Sequence, residues 1–253
     1  MDIEEIIKFD HVNYTHVNNE SLVDFSFSLC KGENLVIFGP ESSGLELISS
    51  IIAGLTRDYQ GSVFYKGREI KSLDYLDTYA IRKEIGYMQK DYGLISNMTV
   101  FENIALPLRY HSQLSGREID NIINKYIKGM NLEHCRNLRP VNLKKSEILR
   151  TTYLRSIAFN PDLLLVEHSL EGQCQINAQT FLRSLKKESF SKSKSVIFIT
   201  FYPRLFTDLG DKFIMLFDGK IVFNGNRQEF ISTENEYVRQ YLESRLEGPM
   251  NIK

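Results

Sequence analysis

Three short, continuous apolar runs most constrain the fold of this chain: Leu35-Val36-Ile37-Phe38, Leu163-Leu164-Leu165-Val166 and Ser195-Val196-Ile197-Phe198-Ile199. Each has the length of a strand and lacks the polar alternation of a strand with one face in water, so each predicts a strand buried on both faces. Helical patterns separate them. Buried strands alternating with helices predict an α/β fold whose sheet is mainly parallel and covered on both sides.

The flanking segments extend this scheme. Val12 to Ser28 alternates polar and apolar residues about an Asn18-Asn19 turn signal, predicting antiparallel strands at the start of the chain. Ser62-Val63-Phe64-Tyr65 and Ile85-Gly86-Tyr87-Met88 read as further strands. Thr99 to Asn131 reads as mostly helical with an interruption at Pro107, and Leu143 to Phe159 as helical again. Within the first of these, Ser115 and Glu118 form a capping box opening a helix. Met215 to Phe223 predicts two strands about an Asp218-Gly219 turn, followed by a helix over about 234–247. Without internal repeats or a low-complexity linker, 1–253 reads as one domain, with about 92–158 as an inserted helical subdomain.

Composition narrows the function classes. Thirty-one Lys and Arg against 32 Asp and Glu leave no cationic excess to hold a polyanion, which speaks against nucleic acid as a partner. Cys30, Cys135 and Cys174 are three widely spaced thiols with no C-x-x-C pair, a pattern that predicts buried free thiols rather than a disulfide framework or a structural metal site. No run of about 18 apolar residues suggests a membrane span, and the acidic start, Met1 to Asp10, does not read as a signal peptide. A cytoplasmic location is the expectation.

The strand Leu35–Phe38 runs into Gly39-Pro40-Glu41-Ser42-Ser43-Gly44 and then into a helical pattern, Leu45 to Leu55. Strand, glycine-bounded loop and helix make the frame of a phosphate-binding loop, in which backbone N–H groups and a helix N-terminus cradle anionic oxygens. The frame has companions in a fixed order. Ile52-Ala53-Gly54-Leu55 follows the loop helix, Tyr87-Met88-Gln89-Lys90-Asp91 follows a later strand, and Pro161-Asp162 precedes the apolar strand that ends at Glu167.

In that order and spacing the chain resembles the ATP-binding cassettes of the ABC transporter family over nearly its whole length. Asp91 to Leu108 is in addition similar to the ATPase subunits of MCE-type lipid transporters. The resemblance implies an ABC-ATPase-like P-loop core, an N-terminal antiparallel β subdomain and the inserted helices. It also implies a transmembrane permease and a second cassette as partners, joined as a hetero- or homodimer, and a peripheral place on the cytoplasmic face of the membrane.

Position by position, the likeness carries replacements. The family's Gly-Lys-Ser/Thr is Gly44-Leu45-Glu46 here, removing the cation for the phosphates and the hydroxyl for Mg²⁺. Glu46 brings a negative charge instead, and like charges about 4 Å apart repel by about 1 kcal/mol in water and about 4 near a protein surface. The family's Asp-Glu is Glu167-His168. Its switch histidine is Phe201, and its Leu-Ser-Gly-Gly-Gln signature is Leu143-Lys144-Lys145-Ser146-Glu147. The loop that usually closes in Asp is Gly172-Gln173-Cys174. Gln89, through which the family senses its permease, is kept. The adenine-stacking aromatic falls on Tyr14 or near His16.

These replacements lead to the expectation of a subunit that is not an enzyme, with no catalytic residue, no metal and no cofactor, serving as structural and coupling partner beneath a lipid-transport permease. The alternative is a divergent ATPase that binds ATP and Mg²⁺, using Glu167 and His168 with Lys144 and Lys145 donated across a dimer. A further alternative is a soluble regulatory protein of the same fold.

Overall fold

The structure is a computed structural model, and it describes residues 4–15, 21–188 and 194–251. The Asn18-Asn19 turn signal and His16 lie outside the described residues. In chain order the strands are β1 (Glu5–Thr15), β2 (Ser21–Cys30), β3 (Asn34–Phe38), β4 (Gln60–Tyr65), β5 (Arg68–Glu69), β6 (Ile85–Met88), β7 (Leu163–Glu167), β8 (Ser195–Thr200), β9 (Lys212–Phe217) and β10 (Lys220–Asn226). The α-helices are α1 (Leu45–Ile52), α2 (Tyr75–Glu84), α3 (Val100–His111), α4 (Gly116–Gly129), α5 (Lys145–Ser156), α6 (Gln175–Glu188), α7 (Arg227–Ile231) and α8 (Glu236–Glu243).

Two sheets divide the strands. The first, ordered β2-β1-β4-β5, is antiparallel in its paired strands. The second, ordered β10-β9-β3-β8-β7-β6, is parallel except for the β9–β10 hairpin about Asp218-Gly219. Residues 163–167 of β7 and 195–200 of β8 are all buried, as expected for strands covered on both faces. One face packs with the antiparallel sheet and α1, through Leu35, Ile37, Ile48, Ile51, Leu165, Ile197 and Ile199. The other packs with helices α3 to α6, through Val36, Phe38, Ile104, Leu149, Val166, Phe181 and Phe198. An α/β core with an antiparallel N-terminal sheet and helices inserted between β6 and β7 is therefore the observed architecture.

Local chemistry sets the helix ends. Thr99 and Glu102 form a capping box at α3, and Ser115 and Glu118 do so at α4. The expected interruption at Pro107 is corrected, since Pro107 lies inside α3 and the break comes later, between His111 and Gly116. Ile104, Ala105 and Leu108, all buried, hold the turn around the proline, and their packing outweighs the lost N–H bond. Helix α7 was not foreseen, and the closing helix is shorter than its pattern. Cys135 is buried, but Cys30 is half-buried and Cys174 exposed, which corrects the expectation of three buried thiols.

The parallel strands β3, β6, β7 and β8 end on one edge of the sheet, delivering the segments that follow Phe38, Met88, Glu167 and Thr200 to the same crevice. The loop after β3 is seated by close backbone contact. A Cβ at Gly39 would stand 2.2 Å from the carbonyl oxygen of Leu216, whereas one at Gly116 would meet nothing within 4 Å. Gly39→Ala is accordingly expected to lower stability by about 2–4 kcal/mol, and Gly116→Ala to leave it unchanged or raise it by up to about 1 kcal/mol, measured by urea denaturation; equal effects of the two would refute the close-packing account.

Candidate functional site: the phosphate-loop crevice

The loop Gly39 to Gly44 closes on the left-handed backbone of Ser42 (φ 62°) and Gly44 (φ 89°). Gly44 is also the residue before α1, and the helix has no side-chain cap, so the first-turn amides face the loop with no side chain competing for them. A Cβ at Gly44 would lie 2.3 Å from the carbonyl oxygen of Ser21. This backbone fits an anion of phosphate size at a helix N-terminus. Pro40, Glu41 and Ser42 lie on the open side, while Ser43 is buried and its N–H reaches the carbonyl of Pro40 at 3.4 Å.

Leu45 turns into the core between the two sheets and is 4% exposed. Glu46 is not an uncompensated anion. Lys90 Nζ lies 2.9 Å from its Oε1, bringing a cation from the segment after β6 to the mouth of the loop. The hydrogen bond to Glu46, with the charge of its carboxylate, holds the Lys90 ammonium above its ordinary pKa. Nothing in local sequence pairs residues 44 positions apart, which is why Lys90 was missed.

Glu167, at the end of β7, is 6% exposed and enclosed by donors. The Ser49 hydroxyl lies 2.7 Å from its Oε1, and the Tyr87 hydroxyl donates to its Oε2 at 2.6 Å. Burial first, and then the Glu167 charge, push the Tyr87 phenol up in pKa, so it stays a donor. Ser49 lies one helical turn beyond Glu46, and its Oγ is also 3.0 Å from the Glu46 carbonyl. Both partners of Glu167 escaped the sequence reading, which followed the loop motif only as far as Glu46.

His168 follows Glu167 with a left-handed backbone (φ 46°), and its side chain is fully buried. Its Nδ1 lies 2.6 Å from Glu171 Oε1. A carboxylate only accepts, so Nδ1 carries the proton and, in the neutral ring, Nε2 keeps the lone pair. That Nε2 is buried without a hydrogen-bond partner. The ring packs at 4.3 Å on Phe201, whose backbone N–H donates to the same Glu171 oxygen at 3.0 Å. The Tyr241 hydroxyl, from α8, lies 2.8 Å from the Phe201 carbonyl and 2.9 Å from that of Gly39, tying the end of the chain to both loops.

Around Gln89 the chain is ordered by α5. Arg155 donates to the carbonyls of Gly93 at 2.5 Å and Tyr92 at 2.9 Å, leaving the Gln89 side chain on the surface. Gln173 Nε2 reaches the Tyr92 hydroxyl at 3.2 Å and the Lys145 carbonyl at 3.0 Å, linking the loop after β7 to the start of α5. Lys144 and Lys145 are exposed there, Leu143 packs on the helical core, and Ser146 lends its carbonyl to Arg150. Glu147 is buried, its Oε2 accepting from the Lys144 N–H at 2.8 Å. Tyr14 is half-buried in β1 and packs against the core between the two sheets.

A family model described as ABC transporter matches residues 22–168, more than half of the chain. The chain belongs to the ABC transporter family, and with it to the ATP-binding subunits of such transporters. It is 22% identical, over 99% of its own length and 95% of the relative's, to the intermembrane phospholipid transport system ATP-binding protein MlaF of Haemophilus influenzae. To the MlaF of Escherichia coli K12 it is 23% identical over 99% of this chain and 93% of that protein. The molybdate/tungstate import ATP-binding protein WtpC of Pyrococcus abyssi is 28% identical over 90% of this chain and 65% of its own length. Among solved structures, the ATP-binding cassette MJ0796, as a dimer in a post-hydrolysis state with ADP and Pi, superposes with a TM-score of 0.79 at 25% identity, over 87% of this chain and 98% of that one.

These likenesses overturn the expectation that the chain is not an enzyme. It matches, from end to end, proteins named for ATP binding, and the crevice keeps the backbone cradle while supplying charges from new places. The replaced side chains had been read one position at a time, without the partners that the fold returns to them.

The Glu167 pocket makes a direct prediction. Tyr87→Phe leaves a buried carboxylate one donor short and is expected to cost about 1–3 kcal/mol of stability, while in a Glu167→Gln background the same change is expected to cost less; equal costs in a double-mutant cycle would show that the two side chains are not coupled.

Proposed function

We propose that this chain is the ATP-binding subunit of a membrane transporter that moves lipid, seated on a permease through the exposed surface about Gln89 and paired with a second cassette. The end-to-end likeness to MlaF proteins carries the reading. Both the coverage of each chain and the ordered Gln89 segment support it, because a docking surface must be held in place before a partner binds. Among the described residues no helix is long and apolar enough to cross a membrane, so the chain would reach one through its permease.

In this reading the nucleotide's phosphates rest on the amides at the start of α1. Lys90 supplies the positive charge at the mouth of the loop, and Glu46, a hard oxygen donor, takes the place of the family's hydroxyl toward a divalent cation. Glu167, already held by Ser49 and Tyr87, stands at the end of β7. Calorimetry with Mg-ATP is expected to give a saturable isotherm, and Lys90→Ala to weaken it by about tenfold or more. Absence of saturable binding by the chain assembled with its membrane partner would refute the nucleotide assignment. Changing Gln89 to Ala is expected to reduce co-purification with a permease from native membranes, and undiminished recovery would refute the docking surface.

The geometry at His168 favours a second element. A proton fixed on Nδ1 by Glu171 and a lone pair on Nε2 are the arrangement of a base with its orienting carboxylate, which becomes available to water once Phe201 moves off the ring. His168→Ala is expected to leave Mg-ATP affinity within a few-fold while reducing turnover by about 10²-fold; unchanged turnover would remove His168 from the chemistry.

A further inference from the structure

Away from the crevice, three side chains of different chemistry meet where the helical insert turns back toward the sheet. His134 and Cys135 lie on a single 3₁₀ turn (Glu133–Cys135) after α4, and Glu147 lies in the first turn of α5. One ligand atom from each, the imidazole nitrogen, the thiol sulfur and a carboxylate oxygen, lie within 4.8 Å of one another. His134 Nε2 is 2.9 Å from Glu147 Oε1.

We infer that His134, Cys135 and Glu147 form a binding site for a zinc-like divalent cation, which clamps the turn after α4 to the N-terminus of α5. A set of one nitrogen, one sulfur and one oxygen donor suits zinc, whose tetrahedral shell would keep its fourth position for water. The site is built rather than incidental. Glu147 is 5% exposed and Cys135 fully buried, so two of the three donors are fixed by packing. The second carboxylate oxygen of Glu147 already accepts from the Lys144 N–H, which orients the first toward His134 as an outer-shell partner would. The His134 side chain is 63% exposed and gives the ion a way in from solvent.

Binding requires two rearrangements. The Cys135 thiol now donates to the Leu132 carbonyl at 3.4 Å; the cation would replace that hydrogen, the sulfur binding as thiolate and one proton passing to solvent for each ion held. The nitrogen of His134 that faces Glu147 now carries the ring proton, since a carboxylate only accepts; moving that proton through solvent to the other ring nitrogen frees a lone pair for the cation with no net proton loss. The clamp ends at Lys144 and Lys145, so occupancy would stiffen the segment Leu143–Glu147. That consequence rests on the functional reading above; the binding does not.

Equilibrium dialysis of the chelator-treated chain against Zn²⁺, with Co²⁺ as the spectroscopic probe, tests the site. The expected result is one ion per chain and a thiolate-to-cobalt charge-transfer absorption. Cys135→Ser should abolish that band, and His134→Ala, at an exposed position that leaves the fold intact, should weaken binding by about 100-fold. Cys30→Ser and Cys174→Ser should change neither. No stoichiometric binding, a band that survives Cys135→Ser, or a band lost in Cys174→Ser would overturn the inference and leave the His134–Glu147 contact as an ion pair at a helix start. Loss of ATP binding with intact Zn²⁺ binding would count against the functional reading alone.

Discussion

The close seating of one loop against its neighbours is the constraint on which the rest of this structure depends. Gly39 passes so near Leu216, and Gly44 so near Ser21, that a single added methyl at either would overlap a carbonyl oxygen. Those contacts lock the end of β3 between the central sheet and the antiparallel sheet. The amides at the start of α1 are thereby aimed into the crevice at the strand ends, whatever the side chains at 45 and 46 happen to be. The anion cradle proposed here is a property of backbone, and backbone survives substitution.

Around that scaffold the charges have been redistributed. Lys90 meets Glu46 across the mouth of the crevice, Ser49 and Tyr87 enclose Glu167, and Glu171 orients His168 while holding the Phe201 backbone. The enclosed carboxylate gains hydrogen bonds that offset the cost of taking it out of water, and without Tyr87 it would be an expensive buried charge. Tyr241 adds a mechanical link, since one hydroxyl lies within reach of the carbonyls of both the phosphate loop and the segment after β8. Motion of Phe201 would therefore be felt at Gly39 and at α8 together.

Much of the architecture was legible because its signals are local. Continuous apolar runs announced β3, β7 and β8, the Asp218-Gly219 pair announced the β9–β10 hairpin, and Ser115 with Glu118 announced α4. Pro107 misled because its cost is local while the packing of Ile104, Ala105 and Leu108 that outweighs it is tertiary. The candidate site was legible as positions along the chain but not as chemistry. Leu45 and Glu46 were read as the loss of a cation and the gain of a negative charge, and the fold buries the first in the core and pairs the second with Lys90.

The sequence by itself determined the order of elements, the glycine-bounded loop and its place between strand and helix, because periodicity and backbone freedom are written residue by residue. Only the tertiary structure decided which charges stand together in the crevice. Lys90 with Glu46, Tyr87 with Glu167 and Ser49 with Glu167 join residues 44, 80 and 118 positions apart. Hydrogen bonds and Coulomb forces act over a few ångströms of space, and a linear chain carries no measure of that distance until the sheet has brought its strand ends together.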